Sequence, residues 1–283
     1  MTDSVAAAVS FIGLKGAYSH LACREVLPDL TPLPCDTFEQ ACAALAERRA
    51  VRAMIPIENN RVGRVADIHQ LLPDAGLFIV GEHYQRIDHR LLGVPGATRE
   101  GLTAVHSHVQ ALAQCHQYLS ALGVREVVEA DTAGAARDVA ERGDPTAGAI
   151  ASALAGELFG LEELASGIAD SARNTTRFIV LSRERITPHP EDGPAITTIL
   201  FQVRSVPAAL YKALGGFATT GVNLTKLESY LTGDRFAVAR FYADFEGHPD
   251  EEPVRLALEE LRFFSEWLHV LGTYPAHPFR AGA

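Results

Sequence analysis

Hydrophobic residues along the first 180 positions alternate between short apolar runs, which predict buried strands, and segments with a helical period. The runs AVSFIGL, AMIPIEN and FIVLS predict strands. The segment DTFEQACAALAERRA places Phe38, Ala41 and Leu45 on one helical face, and Thr37 with Gln40 forms a capping box at its start. Strands that alternate with helices predict an α/β fold with a largely parallel sheet.

The remaining segments of this region continue the alternation. HVQALAQCHQYLSAL predicts one continuous helix, and DTAGAARDVAERG predicts a helix that Asp131 or Thr132 caps. A further helix is predicted at ALAGELFG, and further strands are predicted at GLFIVGEHY, LTAVHS, REVVEA and AGAIAS.

The pattern changes after residues 184–195, a segment rich in proline and charge that we interpret as a linker. The strand ITTILFQVR is followed by a helix that ends before Gly221. Two strands joined at Thr232-Gly233-Asp234, a helix over EPVRLALEELRFFSEWL and a last strand, HVLGTYP, complete the chain. The order βαββαβ is typical of the ferredoxin-like fold, which at this size more often regulates or binds than catalyses.

Composition narrows the function classes. The chain has 283 residues, 47% of them hydrophobic, and a net charge of −10 without a run of Lys or Arg, which argues against nucleic-acid binding. The N-terminal segment lacks a basic n-region, and no window approaches the ~20 apolar residues of a membrane helix. Four cysteines without CxxC or zinc spacing indicate reduced thiols, no metal site and a cytoplasmic location.

Polar residues follow several of the predicted strands. Glu58, Asn59 and Asn60 end one strand, Ser107 ends another, and Asn174 to Arg177 precede the run FIVL. Each group alone is typical of a helix cap, but ligands of parallel α/β sheets bind at the carboxyl ends of strands. The pair His106 and His108 lacks a nearby third ligand, so a structural role is favoured over a metal site. No GxSxG elbow is present, which disfavours a serine triad.

Six segments in order, GLKGAYSH, IPIENNRVGRV, SHVQALAQC, DTAGAA, AIAS and NTTRFIVL, resemble the prephenate dehydratase family. The later segment ALYKALGGFATTGVNLTKLESYL resembles the ACT domain that follows it. The resemblance runs from about Ser10 to Pro275. It implies a two-lobed, periplasmic-binding-protein-like catalytic domain at 7–183, with one lobe at 7–80 and 174–183 and the other at 84–170. The linker at 184–195 and an ACT domain at 196–275 follow.

The resemblance implies conversion of prephenate to phenylpyruvate, water and CO₂ in phenylalanine biosynthesis, without a metal or organic cofactor. Thr176 is the implied catalytic hydroxyl, and Arg177 is expected to meet a carboxylate with paired N–H bonds. The implied substrate-binding residues are Ser19, Glu58, Asn59, Asn60, Ser107, Gln110, Thr132, Ser152, Asn174, Arg177 and Phe178. Two roles of Glu58 stay open: an acid in the reaction, or, with more weight, a carboxylate that orients Asn59 or a partner that bridges the lobes.

The resemblance also implies feedback inhibition by phenylalanine bound between ACT domains of a homodimer or homotetramer. The implied effector-binding residues are Ala209, Leu210, Asn223, Leu224, Glu228 and Ser229. The chain departs from the family pattern at Ala17, at Asn60 and at 228–231, where Glu-Ser-Tyr-Leu replaces Glu-Ser-Arg-Pro. Three alternatives stay open: an arogenate dehydratase, a non-catalytic amino-acid sensor, and a C-terminal domain that only dimerises.

Overall fold

The computed structural model describes residues 7–65, 72, 75–204, 206–232 and 238–282. These residues divide into two compact units, one within Met1–Ala66 and Tyr84–Phe178, the other within Asp67–His83 and Ile179–Ala283. The domain, lobe and linker boundaries expected from the sequence stay predictions beside this division.

Eleven strands and six helices precede residue 183 in the described ranges. The strands are β1 (Ala8–Ile12), β2 (Thr31–Cys35), β3 (Arg52–Asn59), β4 (Gly63–Arg64), β5 (Phe78–Arg86), β6 (Arg90–Gly93), β7 (Ala104–His108), β8 (Arg125–Glu129), β9 (Ala147–Ala151), β10 (Glu162–Ala165) and β11 (Thr175–Ser182). The helices are α1 (Tyr18–Val26), α2 (Phe38–Ala46), α3 (Val109–Gln114), α4 (His116–Leu122), α5 (Thr132–Arg142) and α6 (Ala153–Phe159).

These strands form two sheets. The first has the order β2-β1-β3-β11-β5, with β4 paired to β3, and the second has the order β10-β6-β9-β7-β8. Strand β1 is parallel to β2 and β3, and β7 is parallel to β8 and β9. Strands β6 and β10 are antiparallel to their neighbours, so the second sheet is mixed.

Four of these strands, β2, β4, β6 and β10, were not predicted from the sequence pattern. Strand β2 reads TPLPC, and its two prolines interrupt the apolar run that marks a strand. Proline is tolerated at a sheet edge because a missing N–H there leaves no ladder bond unmade. Strand β2 lies at one edge of the first sheet.

The predicted helix over HVQALAQCHQYLSAL was wrong in one respect, because it breaks at Cys115 into α3 and α4. Asp170, distant in sequence, occupies the backbone groups that a continuous helix would pair. Its carboxylate accepts a hydrogen bond from the N–H of Gln117 at 3.1 Å, and its own N–H donates to the carbonyl of Gln114 at 2.8 Å. A tertiary contact therefore overrides the helical period.

Helix starts follow the capping residues of the sequence. Thr37 Oγ1 accepts from the N–H of Gln40 at 3.2 Å, but the Gln40 side chain accepts from the N–H of Asp36 rather than of Thr37. Asp131, and not Thr132, caps α5 by accepting from the N–H of Gly134 at 2.7 Å.

The C-terminal region contains β12 (Ala195–Val203), α7 (Ala209–Thr220), β13 (Leu224–Thr232), β14 (Val238–Glu246), α8 (Glu252–Phe264) and β15 (Ser265–Pro275). The four strands form an antiparallel sheet in the order β13-β14-β12-β15, the split βαβ arrangement that the sequence predicts. Helix α7 ends at Gly221, whose φ of 75° suits glycine. The turn expected at Thr232-Gly233-Asp234 extends outside the described residues.

The last predicted helix was too long by four residues. It ends at Phe264, and residues 265–268 belong to β15, where Ser265 pairs with Val203 and Trp267 with Gln202. The hydrogen bonds of this ladder replace a further helical turn. The core beneath the sheet is aromatic and contains Phe201, Phe217, Phe241 and Phe245.

None of the helices in the described ranges combines the length and the apolar character needed to cross a membrane.

Candidate active site

A cavity of about 250 Å³ lies within the first unit, where strand ends meet helix starts. The start of α1, the end of β3, the starts of α3 and α5, and β11 all contribute to its lining. Seven of the residues expected at a substrate site line it: Ser19, Asn59, Gln110, Thr132, Asn174, Thr176 and Phe178.

Asn59 lies at the centre of the polar wall. Its Oδ1 accepts hydrogen bonds from the backbone N–H groups of Arg61 at 2.9 Å and Val62 at 3.1 Å. Its Nδ2 donates to Asn174 Oδ1 and to Thr176 Oγ1, both at 2.9 Å. The Thr176 hydroxyl oxygen therefore faces an amide donor inside the cavity.

Three further residues continue this network, and the sequence interpretation missed them. Asn174 Nδ2 donates to Gln114 Oε1 at 2.7 Å, which lies 2.9 Å from His89 Nε2. His89 Nδ1 lies 3.0 Å from the Tyr18 hydroxyl, and all three residues line the cavity. The sequence held one signal for them: Gln114 follows Gln110 by four positions, which places both on one helical face.

Burial changes the proton affinities of His89 and Tyr18. Desolvation lowers the pKa of His89, an effect that the Gln114 hydrogen bond and the charge of Asp88 partly offset. Desolvation also raises the pKa of Tyr18 well above its ordinary value, and the charge of Asp88 adds to that rise. Both side chains are therefore neutral near pH 7.

Helix α1 presents an uncapped N-terminus to the cavity. Its N-cap is Ala17, which makes no side-chain capping bond, and its first turn has no acidic residue. The first N–H groups of a helix lack intrahelical partners and attract anions. The start of α5 differs because the Asp131 carboxylate caps it. The His108 side chain caps α3 in the same way, so of these three helix starts the start of α1 is the one open to a carboxylate.

Two serines expected at the site do not line the cavity. Ser107 Oγ donates to the carbonyl of Ile150 at 2.6 Å, and Ser152 Oγ donates to the carbonyl of Gly16 at 2.6 Å. Ser152 also caps α6 by accepting from the N–H of Ala155 at 3.1 Å. The structure gives both hydroxyls backbone partners, because each is buried against a neighbouring loop or strand.

Arg177 and Glu58 also lie outside the cavity lining. Successive side chains of a strand point to opposite faces, so Thr176 and Phe178 share the cavity face of β11 while Arg177 takes the other. Arg177 Nη1 donates to Glu58 Oε1 at 3.1 Å. Asn60 is likewise turned away, and its Oδ1 accepts from the N–H of Thr175 at 3.0 Å. Substrate contacts of these three residues stay predictions.

A second cavity, of about 390 Å³, shares Val62, Gln110, Gln114 and Asn174 with the first. It adds Arg61 and Asp170. The shared lining makes the two cavities neighbours, with a guanidinium at the second and neutral amides at their boundary.

The expected effector residues fall in two places of the second unit. Ala209 and Leu210 line a cavity of about 540 Å³ at the start of α7, together with Val203, Ala239 and Glu266. Leu224, Glu228 and Ser229 lie on β13, and Asn223 just before it. Asn223 Nδ2 donates to Glu246 Oε2 at 3.2 Å, and Glu228 pairs with Lys226 at 2.8 Å. Binding of an effector by either group stays a prediction.

Metal ligands are not clustered in the part of the chain that the structure describes: no three His, Cys, Asp or Glu side chains lie where they could hold an ion. Amides, hydroxyls and the imidazoles of His89 and His108 line the cavity, together with the carboxylate of Asp131 that caps α5. Fold and cavity together define an α/β protein with a small-molecule site lined mainly by amide, hydroxyl and imidazole groups.

Residues 9–186 match the family model for prephenate dehydratase, and the chain belongs to that family. The family is one of lyases in aromatic amino acid biosynthesis, so the chain is an enzyme rather than the sensor considered above.

Two curated relatives and one solved structure are among the most similar proteins. A bifunctional N-acyl-homoserine lactone acylase/prephenate dehydratase of Komagataeibacter europaeus is 52% identical over 272 residues, 96% of this chain and 97% of the relative. Arogenate dehydratase/prephenate dehydratase 1 of Arabidopsis thaliana, a chloroplastic protein, is 37% identical over 281 residues, 94% of this chain and 71% of the relative.

The structure is that of Arthrobacter aurescens prephenate dehydratase in complex with L-Phe. It superposes with a TM-score of 0.87 at 29% identity, over 95% of this chain and 90% of that one. The match confirms the two-lobed, periplasmic-binding-protein-like α/β fold expected from the sequence.

Proposed function

We propose that the chain converts prephenate to phenylpyruvate, CO₂ and water, the dehydratase step of phenylalanine biosynthesis. The bond between the ring and its carboxylate breaks, and that electron pair enters the ring. The ring hydroxyl leaves with the electron pair of its C–O bond, and one proton converts it to water. Aromaticity of the product drives the reaction, so the protein has to supply one proton and hold two carboxylates.

Thr176 is the proposed proton donor to the departing hydroxyl. The observation that carries the proposal is the 2.9 Å hydrogen bond from Asn59 Nδ2 to Thr176 Oγ1 at the cavity wall. Because that oxygen accepts from Asn59, its own hydrogen is directed elsewhere. The Asn59 dipole also stabilises the negative charge that develops on the oxygen as the proton leaves. A threonine hydroxyl is a weak acid, so we place it in a relay rather than alone.

The substrate carboxylates have two proposed anchors. The uncapped start of α1 offers backbone N–H groups to one of them, a contact that typically contributes about 0.3–1 kcal/mol. Arg61 at the neighbouring cavity offers a guanidinium to the other. Gln110 and Thr132 add uncharged donors between them.

A direct assay tests the reaction. Purified protein is incubated with prephenate, and phenylpyruvate is followed by its absorbance in alkali. We expect Thr176→Ala to lower kcat by about 10²–10⁴, the usual contribution of a positioned proton-transfer group. Thr176→Ser is the matched control, because it keeps the hydroxyl and should keep much of the turnover. Wild-type protein that forms no product above the spontaneous rate contradicts the proposed function.

Arogenate, which carries an amine in place of the side-chain keto group, is the competing substrate, and the Arabidopsis relative bears both names. Of the two residues that depart from the family pattern in the catalytic region, Ala17 lines the cavity and Asn60 does not. We therefore propose Ala17 as the position to vary. The ratio of kcat/KM for prephenate and arogenate, measured for the wild type and for Ala17→Thr, decides the preference.

We further propose that residues 196–275 form an ACT domain that binds phenylalanine and inhibits residues 7–183. The Arthrobacter relative in complex with L-Phe supports this reading. A coupling of about 1–3 kcal/mol is typical between such sites. L-phenylalanine at millimolar concentration should lower kcat/KM and raise Tm, with D-phenylalanine as control. If neither quantity changes, the regulatory proposal fails. We also propose, from the family resemblance, that the chain forms a homodimer or a homotetramer. Sedimentation velocity distinguishes the two.

The 52% identity to a relative with a second activity favours one further candidate, hydrolysis of N-acyl-homoserine lactones. Amide hydrolysis needs a nucleophile or an activated water, and the Thr176 hydroxyl is one candidate that lines the cavity. Release of homoserine lactone, followed by mass spectrometry, tests the activity. Loss of both activities in Thr176→Ala would assign them to one site.

A further inference from the structure

We propose that His89 and Tyr18 are positioning residues that complete and hold the chain of hydrogen-bonded side chains leading to Thr176, a chain whose direction is fixed at Asn59. The proposal rests on the proposed function, in which Thr176 is the proton donor. It assigns His89 one tautomer, neutral with the proton on Nε2.

The direction of the chain is decided at Asn59. Two backbone N–H groups, of Arg61 and Val62, point at one end of its carboxamide, so that end is the oxygen. The other end is the NH₂ group, which donates to Asn174 and to Thr176. Turning the Asn59 carboxamide over would set its NH₂ against two backbone donors.

Each following bond takes its direction from the one before. Asn174 Oδ1 accepts from Asn59, so Asn174 Nδ2 is a donor, and it donates to Gln114 Oε1 at 2.7 Å. Gln114 Oε1 is thus an acceptor, and the atom 2.9 Å away on its other side is His89 Nε2. Because Gln114 Oε1 can only accept a hydrogen bond, His89 Nε2 must carry a proton to donate to it.

The bare nitrogen of His89 then faces Tyr18. Burial holds the ring neutral because it lowers the pKa of His89, so Nδ1 carries a lone pair. The Tyr18 hydroxyl donates to the carbonyl of Asp88 at 3.0 Å and also lies 3.0 Å from Nδ1, so with Nδ1 bare its one hydrogen is shared between these two acceptors. The opposite tautomer would bring the lone pair of Nε2 against that of Gln114 Oε1. The tautomer thus follows from the Gln114 side, and Tyr18 offers its shared hydrogen to the bare Nδ1.

The consequence reaches Thr176. With this direction the hydroxyl of Thr176 receives a hydrogen bond and keeps its own hydrogen for the cavity. If the hydrogen bonds ran in the opposite direction, Asn59 would present its oxygen to Thr176, and the Thr176 hydroxyl would donate its hydrogen to that oxygen. Tyr18 and His89 act only through Gln114, Asn174 and Asn59.

Nitrogen-15 NMR of the histidine rings tests the tautomer without any activity. Protonated and bare ring nitrogens give well-separated signals, and His89→Gln identifies the resonances of His89. At pH 7.5 we expect Nε2 protonated and Nδ1 bare in the free wild-type protein. A ring with the proton on Nδ1, or one that is doubly protonated, overturns the proposal. The NMR test of the His89 tautomer remains valid even if the protein does not act on prephenate.

Kinetics test the positioning role. His89→Gln places an N–H where Nε2 lies, whereas His89→Leu has no donor. We expect His89→Leu and Tyr18→Phe each to lower kcat by about 3- to 10-fold, the worth of one lost hydrogen bond, with a smaller change in KM. His89→Gln should restore kcat to within about threefold of the wild type.

A matched control separates positioning from general damage. His106 is a buried histidine of the same unit that does not line the cavity. We expect His106→Leu to change Tm but not kcat. If His89→Leu keeps the wild-type kcat, or if His89→Gln is as impaired as His89→Leu, the proposal is wrong while the dehydratase assignment stands.

Discussion

The ion pair between Glu58 and Arg177 allows the two roles of Glu58 left open by the sequence to be separated. Arg177 Nη1 lies 3.1 Å from Glu58 Oε1, the Arg177 side chain is 2% exposed, and the Glu58 side chain is 34% exposed. A hydrogen bond between charged groups contributes about 1.5–3 kcal/mol. Solvent reaches Glu58, so we reduce this value to about 1–2 kcal/mol.

We therefore expect Glu58→Ala to lower the free energy of unfolding by about 1–2 kcal/mol. For a unit of this size the corresponding fall in Tm is about 2–8 °C. Glu58→Gln keeps an oxygen that accepts from Arg177 but loses the charge, so about half of the fall should remain. Arg177→Met is the matched partner variant. It leaves a carboxylate that water can solvate, so its electrostatic cost should be smaller than that of Glu58→Ala, which removes a partner from a buried guanidinium.

Thermal and denaturant unfolding of the four proteins, with kcat on prephenate measured alongside, checks this reasoning. Because Glu58 and Arg177 do not line the cavity, we expect Glu58→Gln to keep kcat within about threefold of the wild type. A loss of about 10² or more in kcat without a change in Tm would make Glu58 an acid in the reaction. The structural account of the pair would then be wrong.

Three further predictions concern the first unit. Burial lowers the pKa of His89, so below about pH 6.5 the unfolded chain binds a proton that the folded chain does not. As the pH is lowered from about 6.5 through the lowered pKa of His89, the free energy of unfolding should decrease, and it should decrease less in His89→Gln. Urea titrations between about pH 5 and 8 measure both decreases. Gly16→Ala should lower stability by at least about 1 kcal/mol, because Gly16 has a φ of 93° and its added Cβ would lie 3.0 Å from Ala155 Cα; an unchanged Tm would contradict this. Burial raises the pKa of Cys23 and of Cys115 to about 12, so neither thiol should react with a disulfide reagent at pH 8 until the protein unfolds.

Much of the fold follows from local pattern. The capping residues Thr37 and Asp131 predict helix starts that the structure confirms, and Gly221 predicts the end of α7. These signals act within about four residues, the range of a helical hydrogen bond. The edge strand β2 and the break at Cys115 escaped prediction, because a sheet neighbour decides the first and Asp170 decides the second.

The site residues likewise divide into those that the sequence placed and those whose placement the tertiary structure decided. Motif order placed Asn59, Asn174 and Thr176 at strand ends, and the structure brings all three to one cavity. The alternation of β11 separates Arg177 from Thr176, although the two are neighbours in sequence. Ser107 and Ser152 carry the right chemistry, yet backbone carbonyls take their hydroxyls.

By itself, then, the sequence determined which polar groups stand at the ends of strands, where most helices begin, and the order of the catalytic and C-terminal segments. Only the tertiary structure decided which of those groups face the cavity and which partners complete them. The physical reason is the range of the bonds involved: Thr176 meets Asn59 across 117 positions, Asn174 meets Gln114 across 60, and Tyr18 meets His89 across 71. Local periodicity carries no information over such separations, so Gln114, His89 and Tyr18 became part of the site only when the sheets and helices packed.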